Sequence, residues 1–476
     1  MQASEGGVKP RLISVEKSGN GMRWRARAGL WVVVGATACG SAPPGSSGGG
    51  GGWTTPTSLD AVSDGTANIV EPFAGVDGDG DAIVVWGRQD LTTGAGTDFH
   101  AAYVAGAGWQ ATTPISTPLD TGVAAMGGSR AFVRVAASQF QLASIDLHDL
   151  GAGWTTLETL SAGTISNPTL AANAAGDVFL VWTPAEAGAR LRAARFSPGA
   201  GWSGPATLAA DPASTATASY GSLRLGVDDA GVATVVWDEN RSDFDGLMLA
   251  HYTEASGWSS AQVLEAGATG GELAVAAAGG GVVAWTGSAG VTAARFAAGA
   301  PPGAPEPLGM QANNAPEVAV ANNGRALAVW RGPRDMTNAA FGLLEVVGSG
   351  YAPGSGWRAP AVFPADPAAP AGVYRQTMAL DGDGDGLVVS LSSSGGALSV
   401  FDYSASSGPS QPKVIETALE ALGLASPPAT GTVAFGTPHL AMNAAGAAVF
   451  YCTVSATGGG QSGIADKRLR ATMFAR

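Results

Sequence analysis

The sequence predicts an all-β fold, a β-propeller of four-stranded blades, on three observations. A unit built around an apolar run ending in Trp recurs along the chain. A Gly-Trp pair recurs later in each unit, ahead of a proline-containing segment. The phrase Gly52-Trp53-Thr54-Thr55-Pro56 is the tail of such a unit standing before the first one, and the last unit lacks a tail. Composition agrees: with 71 glycines, 45% hydrophobic and 13% charged residues, the 476-residue chain suits a turn-rich β-protein with a large core. It suits neither a helical nor a disordered chain.

The clearest unit starts at Asn167-Pro168-Thr169-Leu170 and turns at Gly176. An apolar run follows to Trp182, then an alternating segment at 191–196 and a closing segment after Gly201-Trp202. Period-two alternation between turn residues predicts four strands. The Trp-terminated strand returns at 83–86, 180–182, 235–237, 282–285 and 327–330, with weaker copies at 131–135, 387–391 and 447–452. Eight units at roughly 45–60 residues match a propeller blade period. Seven blades is the alternative, because the copies at 131 and 387 have lost the Trp.

Pro56, Pro114, Pro205, Pro307 and Pro360 fall in the closing strand, which an outer sheet edge tolerates. Pro72, Pro168, Pro316 and Pro438 open the first strand. Trp53, Trp109, Trp154, Trp202, Trp258 and Trp357 follow Gly at the last turn, and one large ring per unit predicts blade-to-blade packing rather than sugar platforms. Pairing of 53–59 with 469–474 is expected to close the ring and remove two sheet edges.

The N-terminal region reads as an export signal. Arg23, Arg25 and Arg27 precede a short apolar run from Leu30 to Ala38, too short to span a bilayer comfortably. Ala36-Thr37-Ala38-Cys39 resembles a bacterial lipobox, with Ala36 where Leu is usual; the resemblance implies cleavage before Cys39 and lipidation of its sulfur. Plain secretion is the alternative. The expected organisation is a signal peptide over 1–38, a lipidated Cys39 with a Gly/Ser/Pro tether over 39–52, and the propeller over 53–476. The address would be the bacterial cell envelope, at the outer membrane or cell surface. Cleavage would remove six Lys/Arg and two Asp/Glu from totals of 25 and 38, leaving a net charge of −17. Such acidity argues against a nucleic-acid partner. Cys452 then has no disulfide partner and is expected inside a strand.

The repeat "apolar-Ala-apolar-Asp-x-x-Gly-x-Ala-apolar-Val-Trp" resembles bacterial surface proteins distantly similar to sialidase-like and other repeat propellers. The resemblance spans nearly all of 53–476 and implies fold, not chemistry. The Ser-x-Asp-x-Gly-x-x-Trp box of sialidases is missing, so no glycosidase activity is implied.

Site candidates lie in the loops between second and third strands, which share a face around a propeller's centre. Arg88 and Asp90, then Asp238, Glu239 and Arg241, then Arg331, Arg334 and Asp335, are expected to line a polar funnel for sugar hydroxyls or a peptide. The alternative is ordinary solvated loops. Asp77, Asp79 and Asp81, and Asp381, Asp383 and Asp385, space carboxylates as calcium loops do. Arg88 and Ser392 stand where the bidentate Glu of an EF-hand belongs, and Asx and Gly also suit a plain hairpin turn. Weak calcium binding is therefore the second reading, and no other cofactor is expected. His100, His148, His251 and His439 fall in different units without metal-ligand spacing, and no nucleophile elbow, zinc-protease helix or phosphate loop occurs. The expected function is a lipid-anchored, monomeric binding or assembly module for a polysaccharide or envelope protein. A glycosidase or lyase using loop carboxylates is the alternative.

Overall fold

The structure, a computed structural model, describes residues 52–62, 66–135, 139–161, 165–184, 190–208, 218–309, 315–333, 344–364, 372–392, 396–422, 433–457 and 464–475. The segment expected to be an export signal and Cys39 lie outside them, as do Arg334 and Asp335. Eight antiparallel sheets follow one another along the chain. Their first strands are Ala67–Val76, Leu119–Gly127, Ile165–Ala172, Ser219–Val227, Thr269–Val275, Glu317–Val320, Val373–Leu380 and, in blade 8, His439–Met442. First strands of successive blades touch all the way round, including His439–Met442 against Ala67–Val76. That is an eight-bladed propeller with the first strands at its axis.

The ring closes as expected. Trp53 pairs with Phe474, Thr57 with Ala471, and Asp60 with Leu469, so Thr57–Val62 forms the outer edge of blade 8. The core lies between blades. One cluster joins Leu59, Val449 and Leu469 of blade 8 to Ile69, Val84 and Trp86 of blade 1. Trp86, Trp182, Trp237, Trp285 and Trp330 are among the largest fully buried side chains. The copies lacking this Trp are true blades, and by register Arg134, Ser390 and Cys452 occupy its place. Cys452 is wholly buried, and burial pushes its thiol well up.

Two details differ from the sequence reading. The outer strand is split: a Gly-Trp pair such as Gly201–Trp202 bonds first, and Ala206–Leu208 resumes after a break. Pro56, Pro205 and Pro360 stand in that break, where no ladder donor is needed. Pro72 and Pro168 do not open the first strand but sit at a bulge within it. This bulge recurs, between Asp120 and Ala124, Gly221 and Arg224, and Thr269 and Glu272, while blade 7 has its bulge nearer the start of the first strand, between Val373 and Arg375.

The glycine-linked rings pack as expected. Each of Trp53, Trp109, Trp202, Trp258 and Trp357 is in register with an aromatic residue of the third strand, Phe474, Tyr103, Phe196, Tyr252 and Tyr351. Trp202 also meets Phe140 of blade 2, and Trp258 meets Phe179 of blade 3. Blade 7 keeps the motif with Pro409 in place of Trp, in register with Tyr403.

Candidate functional site

The predicted loop residues are largely engaged within the fold. Arg88 forks onto Asp60 of blade 8, its Nε 3.2 Å from Oδ2, and its guanidinium lies 5.1 Å from the Phe99 ring centre. Asp90 caps its own turn through the amides of Thr92 and Thr93 at 2.8 and 2.7 Å. Asp238 accepts from Gly270 N of blade 5 at 3.1 Å. Glu239 is 1% exposed, accepts from the Trp237 indole at 3.0 Å, and meets Arg241 at 3.0 Å. Arg241 also bonds Asp243 at 3.0 Å.

These contacts reveal a stitching device that the sequence reading missed. A carboxylate following the apolar residue of one outer strand reaches the next blade. Asp60 accepts from the Trp86 indole at 2.8 Å, Glu265 from the Trp285 indole at 2.6 Å, and Glu416 from Arg470 Nε at 3.3 Å. The signal was present in Leu59-Asp60, Leu264-Glu265 and Ile415-Glu416.

Arg331 has different company. Its guanidinium carbon stands 5.8 Å from the ring centre of Tyr374, and that of Arg375 stands 5.4 Å from it. Tyr374 is the extra residue of the bulge between Val373 and Arg375, and it is 49% exposed. Bulges re-aim side chains. This one turns an aromatic ring outward between the arginines of blades 6 and 7. Burial and then Arg375 lower the Arg331 pKa, with Tyr374 opposing. Arginine remains a cation throughout the accessible pH range, so the patch is locally basic on an acidic chain.

Beneath this patch lies a buried ring that sequence reading also missed. The register places Phe73, Ala124, Thr169, Arg224, Glu272, Glu317, Thr377 and His439 at equivalent points of the eight first strands. Arg224 Nε and Nη2 bind Glu272 at 2.7 and 2.6 Å. Glu317 is 5% exposed, and its Oε2 has no hydrogen-bond partner. Burial, then the neighbouring Glu272, hold its carboxyl well above the usual range; the Met378 amide, Arg375 and Arg224 oppose this. Gln376 is 2% exposed, with neither amide atom partnered. His439 stacks on Tyr451 at 4.8 Å, and Tyr451 Oη donates to Pro72 O at 3.2 Å.

Burial, then Arg375, lower the His439 pKa to about 4 from 6.5. A lowered histidine pKa makes the native state bind fewer protons than the unfolded chain. Its contribution is complete above pH 6.5 and is lost as pH falls toward 4. His439→Phe should therefore flatten the acid side of the stability profile by on the order of 2 kcal/mol between pH 6.5 and 4. Urea midpoints across that window check it, and unchanged slopes would exclude His439 as a source.

The acidic turns lie on the opposite face. Asp77 Oδ1 accepts from the amides of Asp79 and Asp81, both at 2.9 Å, and Asp381 Oδ1 repeats this with Asp383 and Asp385, both at 3.0 Å. His148 joins only the first, contrary to its isolation in sequence: its Nε2 is 3.0 Å from Asp77 Oδ2. A shallow cleft on this face, between blades 2 and 3, offers Arg130, which is already paired with Asp146 at 3.2 Å.

No protein-family model matches the chain, and no curated protein matches it in sequence. Solved structures similar to it include an ulvan lyase of polysaccharide lyase family PL25, at 10% identity and a TM-score of 0.44, covering 86% of this chain and 97% of that one. A puromycin hydrolase is similar at 16% identity and a TM-score of 0.45, covering 84% and 62%. Prolyl oligopeptidase B from Galerina marginata is similar at 10% identity and a TM-score of 0.44, covering 83% and 55%. At such identities and TM-scores the likeness carries no argument, and the site stands on its own residues.

Proposed function

We propose that this protein is a lipid-anchored binding module of the bacterial envelope, and that Tyr374, Arg331 and Arg375 take an acidic polysaccharide. The observation that carries the reading is the bulge that presents a half-exposed Tyr ring between two guanidinium groups. A sugar ring stacks on an aromatic face, and guanidinium forks match carboxylate or sulfate oxygens in pairs. Glu272 and Glu317 are 8% and 5% exposed, too enclosed for a polymer chain to reach, which favours binding over carboxylate catalysis. Anchoring through Cys39 belongs to the same proposal.

The test is a binding screen of the full chain against uronate-containing, sulfated and neutral polysaccharides. Acidic polymers should bind, and Arg375→Ala and Tyr374→Ala should each weaken binding about tenfold, on the order of 1–2 kcal/mol. Equal binding of neutral polymers, or unaffected variants, would exclude the patch. Release of shortened or unsaturated sugars in the same samples would favour the glycosidase or lyase alternative.

A further inference from the structure

On the face opposite the Tyr374 patch, the turn joining first and second strands in one blade bonds to the next. Asn443 Nδ2 donates to Asp77 O at 2.7 Å, linking blades 8 and 1. Asn173 Nδ2 donates to Asp228 O at 3.3 Å, Asn323 Nδ2 to Asp383 O at 2.7 Å, and Gly382 N to Ala444 O at 2.9 Å. Blade 2 has a shorter turn, with only Gly128 and Ser129 between its strands. A short 3-10 segment, Leu147–Ala152, instead carries His148 across to blade 1. It is held there by Asp146, whose Oδ1 accepts from His148 N at 3.1 Å and from Ser129 Oγ at 2.8 Å.

The meeting point has the donors of a metal site. Asp77 is 2% exposed, and its Oδ2 accepts no hydrogen bond even though His148 Nε2 stands 3.0 Å away. A nitrogen and a carboxylate oxygen that close, without a hydrogen bond between them, are placed like two donors facing one cation. Ligands each about 2.0–2.2 Å from a zinc ion stand roughly 3–3.5 Å apart. One donor atom each of Asp77, Asp81 and His148 lie within 4.8 Å of one another. Asp79 Oδ2 is 3.3 Å from His148 Nε2 on the exposed side.

We propose that Asp77, Asp81 and His148, with Asp79 at the rim, bind a divalent transition metal of the zinc class and so clamp blade 1 to blade 2. The donor set decides the metal. Calcium takes six to eight oxygen ligands, whereas an imidazole nitrogen with carboxylates suits zinc. The turn at 381–385 supplies an internal control. It has the same carboxylate spacing and the same bonds to Asp381 Oδ1, yet among the described residues only the first turn gathers a histidine.

The experiment titrates the chelator-treated full chain with zinc chloride and, separately, calcium chloride, by calorimetry and thermal melting. One zinc equivalent should bind and raise Tm by about 2–5 °C at a hundredfold excess over Kd, with no shift from calcium. His148→Ala should weaken zinc binding at least tenfold. His148 is half exposed, so that variant keeps its fold. Asp81→Asn retains an oxygen for the Ala105 amide it now accepts at 2.8 Å, and should weaken binding likewise. Asp381→Asn should leave zinc binding unchanged. Folded wild-type protein that binds no zinc, or a His148→Ala variant that keeps the full shift, overturns the site. A calcium shift that survives His148→Ala overturns the metal assignment.

Discussion

Removing residues 52–62 is expected to unfold the whole ring rather than trim its edge. The segment places Trp53 against Phe450 and Phe474, with ring centres 6.3 and 5.1 Å away. It also buries Leu59 to 8% exposure between blades 8 and 1. Losing side chains of that size from a core costs about 2–5 kcal/mol each. Asp60 adds to this, because without it the buried Trp86 indole and Arg88 lose their acceptor, worth about 1–3 kcal/mol. The total reaches the whole of a typical domain's 5–15 kcal/mol. Chemical denaturation reads it directly: a deletion product with the wild-type midpoint would refute closure by this strand. Asp60→Ala alone should lower stability by about 1–3 kcal/mol through the same lost acceptor.

The second large effect runs against intuition, since Glu317→Gln should stabilise the protein at neutral pH. The native carboxyl is held well above its ordinary 4.5 by burial and by Glu272. The folded state therefore holds a proton there that the unfolded state releases, and ΔG of unfolding falls as pH rises from 4.5 to the native pKa. Glutamine still offers an oxygen to the Met378 amide and needs no proton taken up on folding. The gain should be negligible near pH 4 and grow to about 1–3 kcal/mol at pH 8, the range for a poorly partnered buried charge. Urea midpoints at several pH values decide it. A variant no more stable than wild type at pH 8 would mean that Arg375 and Arg224 outweigh burial and Glu272 at this carboxyl.

The blades were legible because their determinants are local. A turn residue, an apolar run ending in Trp and a Gly-Trp pair mark three strands within about one blade period. Closure was legible because Gly52-Trp53-Thr54-Thr55-Pro56, just ahead of the strand at 57–62, repeats the Gly-Trp-x-x-Pro phrase of the outer strands of blades 3 and 6. The site was less so, for a physical reason. Arg331 is legible as a loop cation, but Tyr374 and Arg375 lie in the first strand of the next blade, and only the bulge after Val373 turns the Tyr374 ring outward. A bulge adds one residue without a composition signal of its own. Arg224, Glu272, Glu317 and His439 were hidden in the same way, since their shared level appears only when the strands are aligned by register. Arg88 and Asp238 read as free loop polars because one sequence cannot show that Asp60 and Gly270 of neighbouring blades meet them, whereas Glu239 and Arg241 find partners within two residues, in Trp237, each other and Asp243. His148 shows the converse: nothing in its spacing points to Asp77, and the 3-10 segment supplies the connection.

The pairing of Trp53 with Phe474 also sets an order of events. The two strands are separated by more than 400 positions, and Met473 N bonds Thr54 Oγ1 across a separation of 419. A ribosome, or a translocation pore working from the N-terminus, delivers the first strand long before its partner exists. Blades 1 to 7 must therefore be held as an open arc, with the earliest strand idle until the final one emerges. The ring then closes in a single late step that joins the strands at 52–62 to the one at 464–475. A molecule cut short at any earlier point is left with an unclosed seam, which is where holding chaperones and proteases would find it.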